Sequence, residues 1–179
     1  KYEKKNVKLI LNKKFNNTNM VYSLSCAKKF ITDDIIVVYA DILFNDKIID
    51  KLIKKKGSLL PLKKDWLKIW KSRMSIKEIK KDSENIIINK NRILKIGGKY
   101  KKYPIAQYMG IIKFEKKDFF KAMNYFIKSK NYKIDMTTFL NLCLKKKIIS
   151  LSYFLTNLFW YEIDTQQDLR GLKKTGFKL

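Results

Sequence analysis

The chain has 179 residues, of which 46% are hydrophobic and 13% aromatic, enough for one domain with a substantial core and too apolar for a disordered tract. Its formal charge is +25, yet only three of its 41 basic residues are Arg (Arg73, Arg92 and Arg170). The sequence contains no His, which excludes zinc triads and Ser-His-Asp catalysis, and no apolar stretch reaches the length of a membrane span.

In chain order, Val7–Leu11 (VKLIL) reads as a short strand. A polar stretch then leads into MVYSLSCAKKFI, whose apolar spacing is helical and which Thr18 or Asn19 is suited to cap. Ile35–Tyr39 reads as a strand, and Asn45–Lys56 as a helix stopped by Gly57. This strand, helix, strand, helix order implies right-handed crossovers and a mostly parallel sheet. Leu59–Leu62 is a brief apolar run, and Asp65–Met74 has a helical pattern. Ile86–Ile88 and Arg92–Ile96 flank the turn signal Asn89-Lys90-Asn91 and so predict a hairpin. Gln107–Phe114 reads as one strand with Gly110 inside it, where a Gly marks a bulge or a close approach. Lys116–Lys130 and Asp135–Lys147 are helical, Ser150–Thr156 and Phe159–Ile163 are strands, and a helix starts at Thr165.

The Lys residues are spread through every segment, and bidentate reading of phosphates and guanine edges favours Arg. A Lys-rich nucleic-acid-binding domain is therefore the alternative of another class, and the main expectation is no nucleic-acid partner. Cys26 and Cys143 fall inside apolar helical patterns, as expected of free thiols in a reducing cytoplasm.

Two acids stand out. Asp41 follows the run IIVVYA, and Asp164 follows FWYEI. Either one alone is explained as a turn or cap residue, and Asp164-Thr165-x-x-Asp168 has the form of a helix start. As a pair at one sheet edge, they repel by about 4 kcal/mol at 4 Å and an effective dielectric near 20, so their convergence implies a cation between them. Asn12, Thr18, Asn19 and Ser23 carry hydrogen-bonding groups at a helix entry, suited either to a nucleobase edge or to loop closure. Trp66, Trp70 and Arg73 share one helix face, either as core packing or as an aromatic wall for an ammonium with Arg73 near a phosphate.

Taken together, NKKFNNTNMVYSL, VVYADILF, DWLKIWKSRM, ILKIGGK, QYMGIIKF and YEIDTQQDL resemble the nucleotidyltransferases of GT-A type, in particular the phosphocholine cytidylyltransferase-like and sugar-phosphate nucleotidyltransferase branch. These pieces run in family order from about Asn12 to Leu169. The resemblance implies a Rossmann-like, three-layer α/β sandwich with a mixed, mostly parallel sheet, as a single domain over 1–179. It implies Asp41 and Asp164 as Mg²⁺ ligands, and Thr18, Asn19 and Ser23 at the nucleotide. It also implies Gln107, Tyr108 and Gly110, with Trp66, Trp70, Arg73 and Asp135, around the acceptor. The reaction it implies is transfer of a nucleoside monophosphate, CMP from CTP, to a small phosphorylated acceptor such as phosphocholine, releasing pyrophosphate. A sugar-1-phosphate uridylyl- or thymidylyltransferase is the alternative. The family's opening strand and Gly-rich triphosphate loop have no counterpart here. The expectation is an amino-terminally incomplete chain, inactive alone, from a cytoplasmic enzyme; a degenerate transferase kept as a binding subunit is the other reading.

Overall fold

Side chains along the central, fully buried strands alternate between two apolar layers, and these position everything else. The computed structural model describes residues 7–99 and 102–174, with backbone alone at 173 and 174. The strands are β1 (Ile35–Val38), β2 (Ile42–Phe44), β3 (Leu59–Lys63), β4 (Ile86–Asn89), β5 (Arg92–Ile96), β6 (Gln107–Tyr108), β7 (Ile111–Phe114), β8 (Ser152–Thr156) and β9 (Trp160–Glu162). The helices are α1 (Met20–Cys26), α2 (Lys47–Lys54), α3 (Trp66–Lys71), α4 (Ile76–Asp82), α5 (Lys116–Ser129), α6 (Met136–Lys145) and α7 (Gln166–Lys174).

The main sheet runs β1-β7-β3-β8-β5-β4, with β6 also on β3, while β2 and β9 form a separate ribbon. On one face Leu60, Leu62, Ile112 and Phe114 meet Val21 of α1, Phe119 and Phe126 of α5, and Phe139 of α6. On the other, Leu59 and Ile111 meet Ile48 and Leu52 of α2, Trp66 and Trp70 of α3, and Ile79 of α4. Odd and even residues of β3 and β7 thus feed opposite layers, as a strand buried on both faces requires. The three-layer α/β sandwich is the one expected.

The pairing differs from the mostly parallel sheet. Among the described strands, β3 with β8 is the one parallel pair, and the others are antiparallel. β1 and β3 do run the same way across the α2 crossover, but β7 lies between them and opposes both. A strand-helix-strand pattern fixes relative direction and leaves open which strand is the neighbour.

Two other expectations change. Val7–Leu11 forms no strand: no described strand pairs with it, and Leu9 is 91% exposed. Gln107–Phe114 divides into β6 and β7, because Gly110 adopts a φ of 72° that breaks the extended backbone. The hairpin is present, with Lys90 at φ 49° in its turn. Helix α4 was not expected, although Ser75 and Glu78 form a complete capping box at its start. No described helix is long and apolar enough to cross a membrane.

Candidate active site

The residues singled out in the sequence gather at one end of the sheet, by a different route from the one expected. Asp41 and Asp164 do not close two parallel strands. They flank the same end of the β2–β9 ribbon, where Ile42 faces Glu162 and Ile163 N donates to Asp41 O at 2.8 Å. That three-residue ladder sets the separation of the two acids. The Asp41 carboxylate has no hydrogen-bond or ion-pair partner among the described residues.

Asp164 is held from behind by Arg73, which follows α3 and is 7% exposed. Arg73 Nη2 lies 3.0 Å from Asp164 Oδ2, Nη1 3.3 Å from Glu162 Oε2, and Nε 2.8 Å from Asp168 Oδ1. Its guanidinium also sits 5.1 Å from the centre of the Tyr161 ring. Burial opposes this charge, but the Asp168 hydrogen bond and the three carboxylates outweigh it and raise the Arg73 pKa. Asp168 accepts through Oδ2 from Thr165 N (2.9 Å) and Thr165 Oγ1 (2.8 Å), the helix start anticipated at Thr165. Arg73 is therefore not an open phosphate ligand on an aromatic wall. All three arms of its fork are committed to carboxylates, because Glu162 at the end of β9, Asp164 in the loop that follows and Asp168 in α7 converge on it.

Beside this network lies a cavity of about 320 Å³. Gln107, Tyr108, Gly110, Asp135, Trp70 and Asp164 line it, so six of the expected site residues do meet there. Tyr39, Glu84, Thr137, Met20, Met74, Asp82 and Glu162 also line it and were not anticipated. Tyr39 and Glu162 stood in view, each two residues before an acid in VVYAD and YEID. Glu84 carried no local signal, since it lies in the link between α4 and β4.

Gly110 is required where it stands. A Cβ there would come within 3.0 Å of the Tyr39 ring, and Tyr39 N donates to Gly110 O at 3.0 Å. Tyr39 and Tyr108 meet edge to face at 5.9 Å, and burial raises both phenols above their ordinary pKa. The buried Tyr108 hydroxyl and Trp70 Nε1 find no partner of good hydrogen-bond geometry among the described residues.

The cavity is strongly acidic. Asp82, Glu84, Asp135, Glu162 and Asp164 line it and no Lys or Arg does, in a chain with 41 basic and 16 acidic residues. Burial pushes Glu84 up to about 7, reinforced by Asp135 and only partly offset by the 2.6 Å hydrogen bond from Thr137. Burial likewise pushes Glu162 up to about 7, with Asp164 and Asp41 adding to it and Arg73 opposing. Asp135 is held below its usual value: burial would raise it, but the hydrogen bond from Thr138 N (2.8 Å) prevails, helped by Thr137 Oγ1 at 2.9 Å, whose single proton is shared with Glu84.

The remaining expected residues lie apart from the cavity. Trp66 is core, with Nε1 donating to Pro104 O at 3.2 Å and its ring 5.3 Å from that of Trp70. Asn19 caps α1 by accepting from Met20 N at 2.7 Å. Asn12 Nδ2 bridges Thr18 Oγ1 (3.0 Å) and Ser23 Oγ (2.9 Å), so these groups close a loop against one another at an exposed site.

Comparison with known proteins agrees with this architecture. No family model matches the chain. A CTP:phosphoglutamine cytidylyltransferase of Campylobacter jejuni is 29% identical over 177 residues, with 89% of this chain and 69% of the relative covered. An inositol-1-phosphate CTP transferase from T. maritima superposes with a TM-score of 0.65 at 20% identity, covering 88% of this chain. The chain spans 60% of that protein's length. A CTP:phosphocholine cytidylyltransferase from Streptococcus pneumoniae gives 0.66 at 15% identity, with 96% and 69% covered. The chain is a homologue of nucleotidyltransferase enzymes and has their fold.

Proposed function

We propose that this homologue of the nucleotidyltransferases transfers CMP from CTP to a small phosphorylated acceptor that also carries a cationic amine, releasing pyrophosphate. Preference for CTP is supported by the cytidylyltransferase relative. The observation that carries the acceptor class is the cavity's charge. Five acids and no basic group line it, in a chain of net +25. Glu162 and Asp164 are paired with Arg73 behind the wall, while Asp82 and Asp135, with Glu84 when ionised, favour a cation. The aromatic rings of Trp70 and Tyr39 in the lining suit an ammonium. The buried Trp70 Nε1, without a partner among the described residues, adds a polar group to the cavity wall.

In this reading the acceptor phosphate attacks the α-phosphorus of CTP, and the chain's own contribution is positioning. The cavity fixes the amine, and the β2–β9 ribbon fixes Asp41 against Asp164. Arg73 holds one oxygen of Asp164, so that carboxylate keeps a set orientation. Among the described residues no group of three or more His, Cys, Asp or Glu is arranged to hold a metal by itself. Two Asp with ligand phosphates are the donor set that Mg²⁺ favours, and Asp41 and Asp164 would hold it. Bound there, Mg²⁺ would neutralise charge on the phosphates. A sugar-1-phosphate acceptor, being neutral apart from its phosphate, would offer the acidic lining hydroxyl donors and no positive charge.

The test is pyrophosphate release by the full-length protein from CTP and Mg²⁺ with a panel of amine-bearing, neutral and sugar phosphates. Turnover with an amine-bearing acceptor, lost in Asp41→Ala and in Asp164→Ala, is the expected result. Turnover only with sugar phosphates would overturn the acceptor class. No turnover with any nucleotide would favour the non-catalytic readings.

A further inference from the structure

A second cavity of about 770 Å³ opens at the opposite end of the sheet, around the amino ends of β3, β5 and β8. Its electrostatics invert those of the first. Lys56, Arg92, Lys117, Lys121 and Lys147 line it. Two acids, Asp118 and Glu115, also line it, so basic groups are in excess five to two. Asp118 Oδ2 accepts from Ser58 Oγ at 2.7 Å. Glu115 accepts from Gly57 N at 3.0 Å and pairs with Lys117 at 3.1 Å. Lys56, Arg92, Lys121 and Lys147 therefore face one cavity with no carboxylate partner among the described residues.

The chain's overall charge does not explain this by itself, since the first cavity is lined by no basic residue. Four unpaired cations around one concavity repel, and an anion bearing several charges relieves that repulsion. Ile93, Ile149 and Leu144 supply apolar wall between the charges, and the size suits a ligand of nucleotide dimensions. Lys binds phosphate as a point charge without demanding one geometry, as expected of a polyphosphate held by several flexible arms. We propose that this cavity binds the polyphosphate of a soluble nucleotide, at a site separate from that of the transfer reaction. The proposal does not depend on turnover.

Photolabelling of the full-length protein with 2-azido-ATP, followed by peptide mapping, tests it. Label is expected on residues 91–94 and 144–150, competed by inorganic tripolyphosphate and not by adenosine. Reversing two contacts in Lys121→Glu/Lys147→Glu is expected to weaken labelling about tenfold. Asp164→Ala should leave labelling intact. Label confined to the Tyr39–Asp164 cavity, or equal competition by adenosine, would overturn the proposal. Labelling that resists the double charge reversal in a protein with an unchanged melting temperature would also overturn it.

Discussion

Replacing Arg73 with Met should unfold this chain more readily than neutralising Asp164, the exposed acid it serves. The guanidinium side chain is 1% exposed and ties together Asp168, Glu162 and Asp164, whose side chains are 7%, 22% and 53% exposed. Met has similar reach and fills much of the space, so the loss is electrostatic: Asp168 is left buried without its charged partner. Breaking a buried pair in this way costs about 3–5 kcal/mol. At about 2–4 °C per kcal/mol for a domain of this size, the melting temperature should fall by roughly 6–20 °C. Thermal melts by circular dichroism measure this, with Asp164→Asn as the internal comparison. Asp164 is half-exposed and water can replace its partner, so that variant should lose about 1 kcal/mol or less. The double variant Arg73→Met/Asp168→Asn should be clearly less destabilised than the sum of the singles, because the neutral amide no longer needs the guanidinium. Additive losses, or an Arg73→Met melt within about 2 °C of wild type by the same scaling, would refute the view that this network is a fastening.

Three further outcomes follow from the geometry. Gly110→Ala places a Cβ 3.0 Å from the Tyr39 ring at a φ of 72°, so it should lose about 1–3 kcal/mol in chemical denaturation and shift the Tyr39 environment in near-ultraviolet dichroism. Glu84, raised to about 7, binds its proton more tightly folded than unfolded, so it favours the folded state at low pH, and this contribution fades as pH rises from about 4 to 7. Stability of the wild type relative to Glu84→Gln should accordingly drop by about 3 kcal/mol across that interval, and parallel pH profiles would contradict the assignment. Asn19→Ala removes the acceptor for Met20 N and should cost about 1 kcal/mol; if Asn19 also reads the base, the ratio of CTP to UTP and dTTP turnover changes with it.

What the sequence made legible follows from how local each signal is. The hairpin at Asn89-Lys90-Asn91, the Thr165 helix start and the long helices α5 and α6 rest on turn residues, caps and periodicity within one segment, and all are present. Gly110 announced a special position, and its two demands, positive φ and the nearness of Tyr39, are both met. Strand order is a long-range property. No pattern within Ile35–Val38 or Leu59–Lys63 reveals that Ile111–Phe114 lies between them. Val7–Leu11 had the composition of a strand, but a strand also needs a neighbour. The role of Arg73 was misread for the same reason: helix spacing put it on a face with two Trp residues but said nothing of the acids arriving from nearly a hundred residues away. Glu84 was invisible because its significance lies in burial beside Thr137 and Asp135.

The ribbon of β2 and β9 couples two kinds of tolerance to change. Asp41 and Asp164 are registered to each other by three residues on each strand, outside the main sheet. Ile42 and Trp160 of that ribbon also belong to the apolar layer of Leu59, Ile111 and Trp66. A one-residue insertion in Ile42–Phe44 would therefore slide one acid past the other and turn Ile42 out of that layer. The spacing of the acids and the durability of the fold are thus tied on this side of the sheet, and substitutions among Phe119, Phe126 and Phe139, on the other face, are the way to change the second while sparing the first.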